Sequence, residues 1–572
     1  MSSLSQRPLW QSRALAVIFG VSLGAIVVVA AEVGLRMIRG PVDADPTQAA
    51  TKAYQAWASG PCYRIAGDRL QRVLPPQGAG MGSASPESGF SLVKQLGVRR
   101  IAIVGESTAE MLERALKELV DGAGCGDRAE ILQCSASGSL PGVAVQRAEE
   151  VLAYSPDAIV VAIGHNFLLP GPPAQFELAL SQTRLGQEVA QRLPARATPR
   201  APNEPPVLDS RDPPAMGREA YRQILRMAQT KGVKVVAVVL ASNLWFRPKA
   251  SGEYVTSPQR TLAWVKWARG DLDGAIAALQ PSDGRDDALR AFERATFHAQ
   301  KQAWRSTRQE LERARDLEPA SVRASSATTA AITQAARDGG ATTIDVDALF
   351  SPLAEHGIPG WDVFFDNCHP YPEPLNLLAR TVLKATVQDQ TCPTSLMALT
   401  GLKDQGDAYR RLIEGPFRVL LPDDSNTDAL GWRTYPDNGA WRRLIDGPFT
   451  AVLRLAPRDA QSIFERYDRE MLASYNSKAR AAILHAMGLA ARDAGRLDLA
   501  HWSLERSTSI EPAAPVLVDL ALIQLREHQE AAARESVERS LQLEPANLQA
   551  RAFLEVLQQR SQSVGDQPMA HR

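Results

Sequence analysis

From residue 98 onward, short β-branched apolar runs alternate with longer segments whose apolar residues recur at helical spacing. The pattern predicts strand 100–104, helix 108–120, strand 129–134, helix 142–154, strand 157–163, helix 217–231 and strand 233–240. About ninety residues of helical character then intervene before a strand at 341–347 and a helix near 373–388. Strands separated by helices cannot pair as hairpins, so the expected fold class is α/β, a parallel sheet with helices on both faces. In such a sheet the functional site lies beyond the carboxyl ends of the strands.

Three segments end or follow those strands: Ile101-Ala-Ile-Val-Gly-Glu-Ser107, Val160-Val-Ala-Ile-Gly-His-Asn166 and Phe365-Asp-Asn-Cys-His369. Ser107 falls on a strand-to-helix turn, where unpaired N–H groups and the positive end of the helix dipole favour negative charge. A serine hydroxyl needs a base, and His369 offers one, with Asp366 three residues earlier to fix its tautomer. The oxyanion of an acyl-transfer reaction needs fixed donors. The candidates are the backbone N–H of Ser107, the backbone N–H of Gly138 in Cys134-Ser-Ala-Ser-Gly-Ser139, and the side-chain amide of Asn166. Taken singly, Ser107 also reads as a helix N-cap and His369 as a turn histidine before Pro370. The conjunction of all the motifs favours catalysis.

This set, in this chain order, resembles the SGNH (GDSL-type) hydrolase family, and in particular a bacterial membrane-anchored subgroup with tetratricopeptide-like helices. The resemblance covers residues 98–390 and places the family's roles on Ser107, Gly138, Asn166, Asp366 and His369. It implies a flavodoxin-like three-layer α/β/α sandwich and a serine esterase that cleaves acyl esters through an acyl-enzyme. O-acetyl groups on an envelope polysaccharide are within the substrate class it allows. The same residues serve an O-acyltransferase, and a protein-interaction scaffold with a supporting hydrolase domain is the alternative from another class. The chain departs from the family pattern at Glu106, where Asp is more common, and in the second motif, which has Gln133 and Ser135 in place of an Asn and a Gly.

Composition bounds the rest. Lys plus Arg and Asp plus Glu each number 64, so nothing in the charge balance points to nucleic acid. Residues 14–31 form an uncharged apolar run about long enough to span a bilayer, which predicts an N-terminal transmembrane helix after a short cytoplasmic tail, 1–13. Val28-Val-Ala30 also fits a cleavage site. The anchored reading makes this a single-pass protein of the inner membrane with its catalytic domain periplasmic. The five cysteines, Cys62, Cys125, Cys134, Cys368 and Cys392, have no zinc-type spacing, and no metal or cofactor is expected. In an oxidising compartment one or two disulfides can form, leaving at least one thiol free. Residues 32–97, rich in Pro, Gly, Ser and Ala, read as a stalk with some structure.

The interruption, placed at about 250–338, contains Leu311-Glu-Arg-Ala-Arg-Asp-Leu-Glu-Pro-Ala320, which is echoed at Leu504–Ala513 and Val537–Ala546. The last two are offset by 33 residues, as are Ala500 and Ala533, and Gly488 and Ala521. A proline closing each helix pair at this spacing is tetratricopeptide-like, predicting repeats over 481–556, a helical linker region over 391–480 and a disordered tail over 557–572. Such repeats commonly bind a protein partner. Two repeats need neighbouring helices, which residues 394–480 are expected to supply. That stretch also contains a duplication, Tyr409–Phe417 against Trp441–Phe449, with no functional reading. Trp245, Trp264 and Trp267 read either as core or as the lining of a sugar cleft.

Overall fold

The computed structural model describes residues 60–73, 89–168, 212–248, 257–280, 287–318, 323–364, 366–387, 457–470, 472 and 476–565. Five strands, β4 (Arg99–Gly105), β5 (Ala129–Gln133), β6 (Ala158–Ala162), β7 (Lys234–Val239) and β8 (Thr342–Asp345), form one sheet in the order β5-β4-β6-β7-β8. Every neighbouring pair is parallel. The central strands β4, β6 and β7 are nearly continuous apolar runs because both of their faces are covered, whereas the edge strand β8 buries only Ile344.

The period-two alternation sorts their side chains into two cores. Ile101, Ile103, Val160, Val236 and Val238 face α1 (Ser107–Gly122) with Leu112 and Leu116, the short α9 (Val346–Phe350) with Phe350, and the last helix of the sandwich, α10 (Pro372–Thr386), with Leu378 and Val382. Ala102, Val104, Ile159, Val161 and Ala237 face the opposite way. They pack on α2 (Pro141–Leu152) and α3 (Pro213–Thr230) through Ala144, Ala148, Ala220 and Ile224. The result is the expected three-layer α/β arrangement.

The described part of the segment read as a stalk with some structure holds a small sheet. β1 (Tyr63–Ala66), β2 (Arg69–Arg72) and β3 (Gly89–Ser91) form an antiparallel sheet in that order. Tyr63 and Leu70 enter the same core as α2 and α3. Composition conceals this because the anchors are tertiary. Cys62 forms a disulfide with Cys134, and Glu150 accepts hydrogen bonds from the backbone N–H groups of Cys62 and Tyr63, each at 2.9 Å. Arg100, fully buried, donates to the Ser91 and Tyr154 carbonyls and pairs with Glu130 at 2.7 Å.

The helical interruption comprises α4 (Pro258–Ala268), α5 (Leu272–Ala278), α6 (Ala288–Gln300) and α7 (Trp304–Leu317). It ends earlier than expected, because α8 (Ser326–Asp338) belongs to the sandwich, with Ile332, Ala335 and Ala336 packed in the α3 core. Helical periodicity shows that a face is apolar but not which core receives it.

The C-terminal helices α12 (Ser477–Asp493), α13 (Leu497–Ile510), α14 (Ala514–Arg526), α15 (Glu530–Leu543) and α16 (Leu548–Gly565) share one core with the interruption. Trp264 and Trp267 are 1% exposed within it, Arg492 lies 3.7 Å over the Trp264 ring, and Arg526 donates to the Trp267 carbonyl. Of the two readings of these tryptophans, core is correct. Among the described residues, the neighbours of the C-terminal helices include residues of the interruption at 258–317 and, from the stretch expected to supply them, Ala460 and Phe464 of α11 (Pro457–Glu470); residues 394–456 lie outside the described residues.

The 33-residue repetition extends to bonding: Ser507 Oγ donates to the Ala481 carbonyl at 2.8 Å, and Ser540 Oγ to that of Ala514 at 2.9 Å. α16 continues to Gly565, so a disordered tail does not begin at 557. Among the described residues no helix is long and apolar enough to cross a membrane. The expected span at 14–31, the duplication at 409–449 and Cys392 lie outside the described residues.

Candidate active site

At the end of β4 the chain passes so close to β6 that a Cβ on Gly105 would lie 2.1 Å from the Ala162 carbonyl oxygen, which leaves room only for hydrogen. The next residue, Glu106, is the N-cap of α1, and Ser107 is its first helical residue. Ser107 Oγ is 2.7 Å from His369 Nε2, and His369 Nδ1 is 2.5 Å from Asp366 Oδ2. The other carboxylate oxygen of Asp366 accepts from the backbone N–H groups of Cys368 (2.8 Å) and His369 (2.7 Å), which fixes the turn. Asn243, just beyond β7, secures that turn from outside: its backbone N–H donates to Asn367 O at 3.0 Å and its side-chain amide to Asp366 O at 2.9 Å. Three residues brought together from two distant segments thus form a continuous chain from hydroxyl to imidazole to carboxylate.

Gly138 adopts φ +67°, a left-handed conformation that a side chain would strain, in the loop after β5. Asn166 follows β6 and is 8% exposed, and its Nδ2 is buried with no acceptor among the described residues. All the sequence-predicted residues therefore sit at carboxyl ends of neighbouring strands or, for Asp366 and His369, in a turn hydrogen-bonded to Ser107.

Three carboxylates missed by the sequence reading hold this arrangement. Glu106 is 1% exposed and accepts from the backbone N–H groups of His165 (2.8 Å) and Asn166 (3.1 Å). Glu110 accepts from Ser137 through both Oγ (2.7 Å) and backbone N–H (3.2 Å). Glu113 accepts from Cys134 N–H (2.8 Å) and Ser135 N–H (2.6 Å), and it pairs with Arg72 of β2 at 3.5 Å. Glu106 thus secures the loop carrying Asn166, and the other two secure the loop carrying Gly138. Their spacing was the available signal: acidic residues at i, i+4 and i+7, starting at the residue before the serine, lie on one helical face, and that face here turns toward the loops after β5 and β6.

The electrostatics follow from burial. Burial raises Glu106 and Glu113 each to about 7, against the opposing pull of their N–H donors and, for Glu113, of Arg72. Burial lowers His165 to about 3, so its imidazole is neutral; its Nδ1 accepts from Ala324 N–H at 3.1 Å. For His369 burial favours the neutral ring, yet the Asp366 carboxylate bonded to its Nδ1 holds it well above the ordinary imidazole value. Burial raises the Cys368 thiol. Asp366, Cys368 and His369 present three potential metal-ligand atoms within 4.8 Å of one another. Both ring nitrogens of His369 are already engaged, and a thiol kept protonated is a poor ligand.

These shifts predict how stability varies with pH. A glutamate that ionises near 4.5 when unfolded and near 7 when folded opposes folding progressively across that window. A histidine raised by folding adds stability that is complete below its unfolded value and is lost as pH rises through the folded one. Both effects have the same sign. His165 opposes them only on the acid side, where the unfolded state takes up its proton below about 6.5. Urea unfolding is therefore expected to show maximal stability near pH 4 to 5, where the two glutamates begin to outweigh His165, and a loss on the order of a few kcal/mol by pH 8. Glu106→Gln should flatten that decline.

Neither a protein-family model nor a curated protein matches the chain. Among solved structures, a GDSL-like lipase from Bacteroides thetaiotaomicron is similar at 12% identity over 50% of this chain and 87% of its own, with a TM-score of 0.24. An α/β hydrolase from the metagenome of Lake Arreo shows 14% identity over 50% and 94%, TM-score 0.25. A lipase/acylhydrolase from Enterococcus faecalis shows 12% over 50% and 95%, TM-score 0.22.

Proposed function

We propose that this chain is a serine hydrolase of the SGNH type that cleaves carboxylic esters. The observation that carries the reading is the hydrogen-bonded series Ser107 Oγ, His369, Asp366, at 2.7 and 2.5 Å, beside a buried Asn166 Nδ2 that has no acceptor among the described residues. With His369 deprotonated, Ser107 Oγ attacks the ester carbonyl as Nε2 takes its proton, and Asp366 stabilises the imidazolium. The backbone N–H groups of Ser107 and Gly138 and the Asn166 amide receive the developing oxyanion. His369 then returns the proton to the departing alkoxide, leaving an acyl-Ser107 ester that water hydrolyses by the same steps in reverse.

The physiological ester in this reading is an acyl group, such as O-acetyl, carried by an envelope glycan. Residues 14–31 anchor the chain in the inner membrane, with the hydrolase outside the cytoplasm. The Cys62–Cys134 disulfide agrees with an oxidising compartment.

The test is a fluorophosphonate probe followed by peptide mass spectrometry. One equivalent of label is expected on Ser107, with labelling blocked by prior incubation with p-nitrophenyl acetate at low temperature. Folded protein that takes up no label, or takes it elsewhere, would refute the assignment.

A further inference from the structure

A cavity of about 320 Å³ opens between the interrupting helices, the segment 355–362 and helix α12. Four aromatic side chains line it: Trp245, Phe292, Trp304 and Trp361. Their planes are fixed by their neighbours. Trp304 stacks on His356 at 3.5 Å with 11° between the rings, Trp245 meets Phe292 edge-on at 6.2 Å, and Trp361 Nε1 donates to the Trp245 carbonyl at 3.2 Å. Prearranged aromatic faces are the surface that the C–H face of a sugar ring covers at little entropic cost.

The polar wall narrows the ligand class. Glu355, Asp362 and Asp493 supply carboxylates, Gln300 supplies an amide, and among the described residues neither lysine nor arginine lines the cavity. An anionic ligand would therefore meet like charge. Two of the carboxylates are already compensated: Asp493 accepts from Arg247 and Arg492, and Asp362 from the backbone N–H groups of Glu355 and Gly360. A cation is thus not called for either. Each compensated carboxylate retains lone pairs for hydroxyl donors. Gln300 uses its Oε1 to accept from Trp267 Nε1 at 2.8 Å, while its Nε2 is buried with no acceptor among the described residues. A hydrocarbon would leave those polar atoms unsatisfied.

We propose that this cavity is a binding site for neutral glycopyranose units, separate from the Ser107 centre and independent of the hydrolase reading. Its floor continues into the catalytic turn. Leu244 N–H donates to Pro359 O and Asn243 N–H to Asn367 O, both at 3.0 Å, so the segment that lines the cavity also holds the Asp366 turn. A glycan seated here lies on the element that positions His369.

Isothermal titration of the full-length chain in detergent, with cello-, chito-, manno- and xylohexaose as probes, tests the site, with hexagalacturonate as the anionic control. At least one neutral hexaose is expected to bind saturably, and the uronate is not. Trp304→Ala, which removes a stacking platform, and Ala494→Phe, which fills the cavity, are each expected to weaken binding at least about tenfold. Fluorophosphonate labelling of both variants should remain at the wild-type rate, which keeps this test separate from that of the hydrolase assignment. Failure of every neutral hexaose to bind, equal binding of the uronate, or binding unchanged in both variants overturns the proposal.

Discussion

Replacing Ser107 with alanine is expected to lower ester turnover by about six orders of magnitude, to the rate that the oxyanion donors and binding sustain alone. The loss should fall in kcat and not in KM, because the hydroxyl contributes a bond made only in the reaction. Asp366→Asn makes an informative companion. An amide can still meet His369 Nδ1, but it favours the wrong tautomer and no longer supports the imidazolium, so a loss of about four orders of magnitude is expected. It should also lower the pH at which activity appears, since the Asp366 carboxylate helps hold His369 above its ordinary value. Steady-state kinetics on p-nitrophenyl acetate, with melting curves as the control for folding, check both variants. Turnover within tenfold of wild type in folded Ser107→Ala would remove the nucleophile from its role.

The second large effect concerns the disulfide. Cys62 and Cys134 are 72 residues apart, and closing a loop of that length restricts the unfolded chain by about 4 kcal/mol in the chain-entropy view. The double variant Cys62→Ala/Cys134→Ala is expected to lose roughly that much in urea unfolding. A second consequence is local. Cys134 begins the loop that carries Gly138, and the same junction includes Gln133 N–H donating to Tyr63 Oη at 2.8 Å and the Arg72–Glu113 pair. Loosening it should reduce turnover at temperatures well below global melting. A disulfide variant with unchanged stability and unchanged activity would show that the accessory sheet is held by its noncovalent contacts alone.

The central sheet was legible because each strand announces itself locally: a β-branched run bounded by turn residues needs no knowledge of its partners. The same holds for Ser107, Gly138, Asn166, Asp366 and His369, whose positions follow from strand ends and short spacings. What escaped the sequence depends on distant partners. Glu106 stands out in the sequence only as a replacement for Asp and Glu110 and Glu113 not at all, and only the loops folding over α1 turn them into anchors. Tyr63 and Leu70 sit in a stretch whose Pro and Gly content suggested a stalk, and their burial is supplied by α2 and α3. The limit of the interruption was misplaced because α8 has the same amphipathic period as α7 while facing a different core. The pairing of the interrupting helices with the C-terminal ones left no local trace, since Trp264 and Arg492 are far apart in sequence.

That shared helical core imposes an order on synthesis. The sheet can close once β8 has emerged, but Trp264, Trp267 and Phe297 remain without their covering partners until the chain has been made through Leu557. At ribosomal rates the interval is roughly ten to fifty seconds. A nascent chain with a finished sandwich thus displays an unfinished apolar surface throughout that time, and any message truncated near residue 390 would leave it exposed for good.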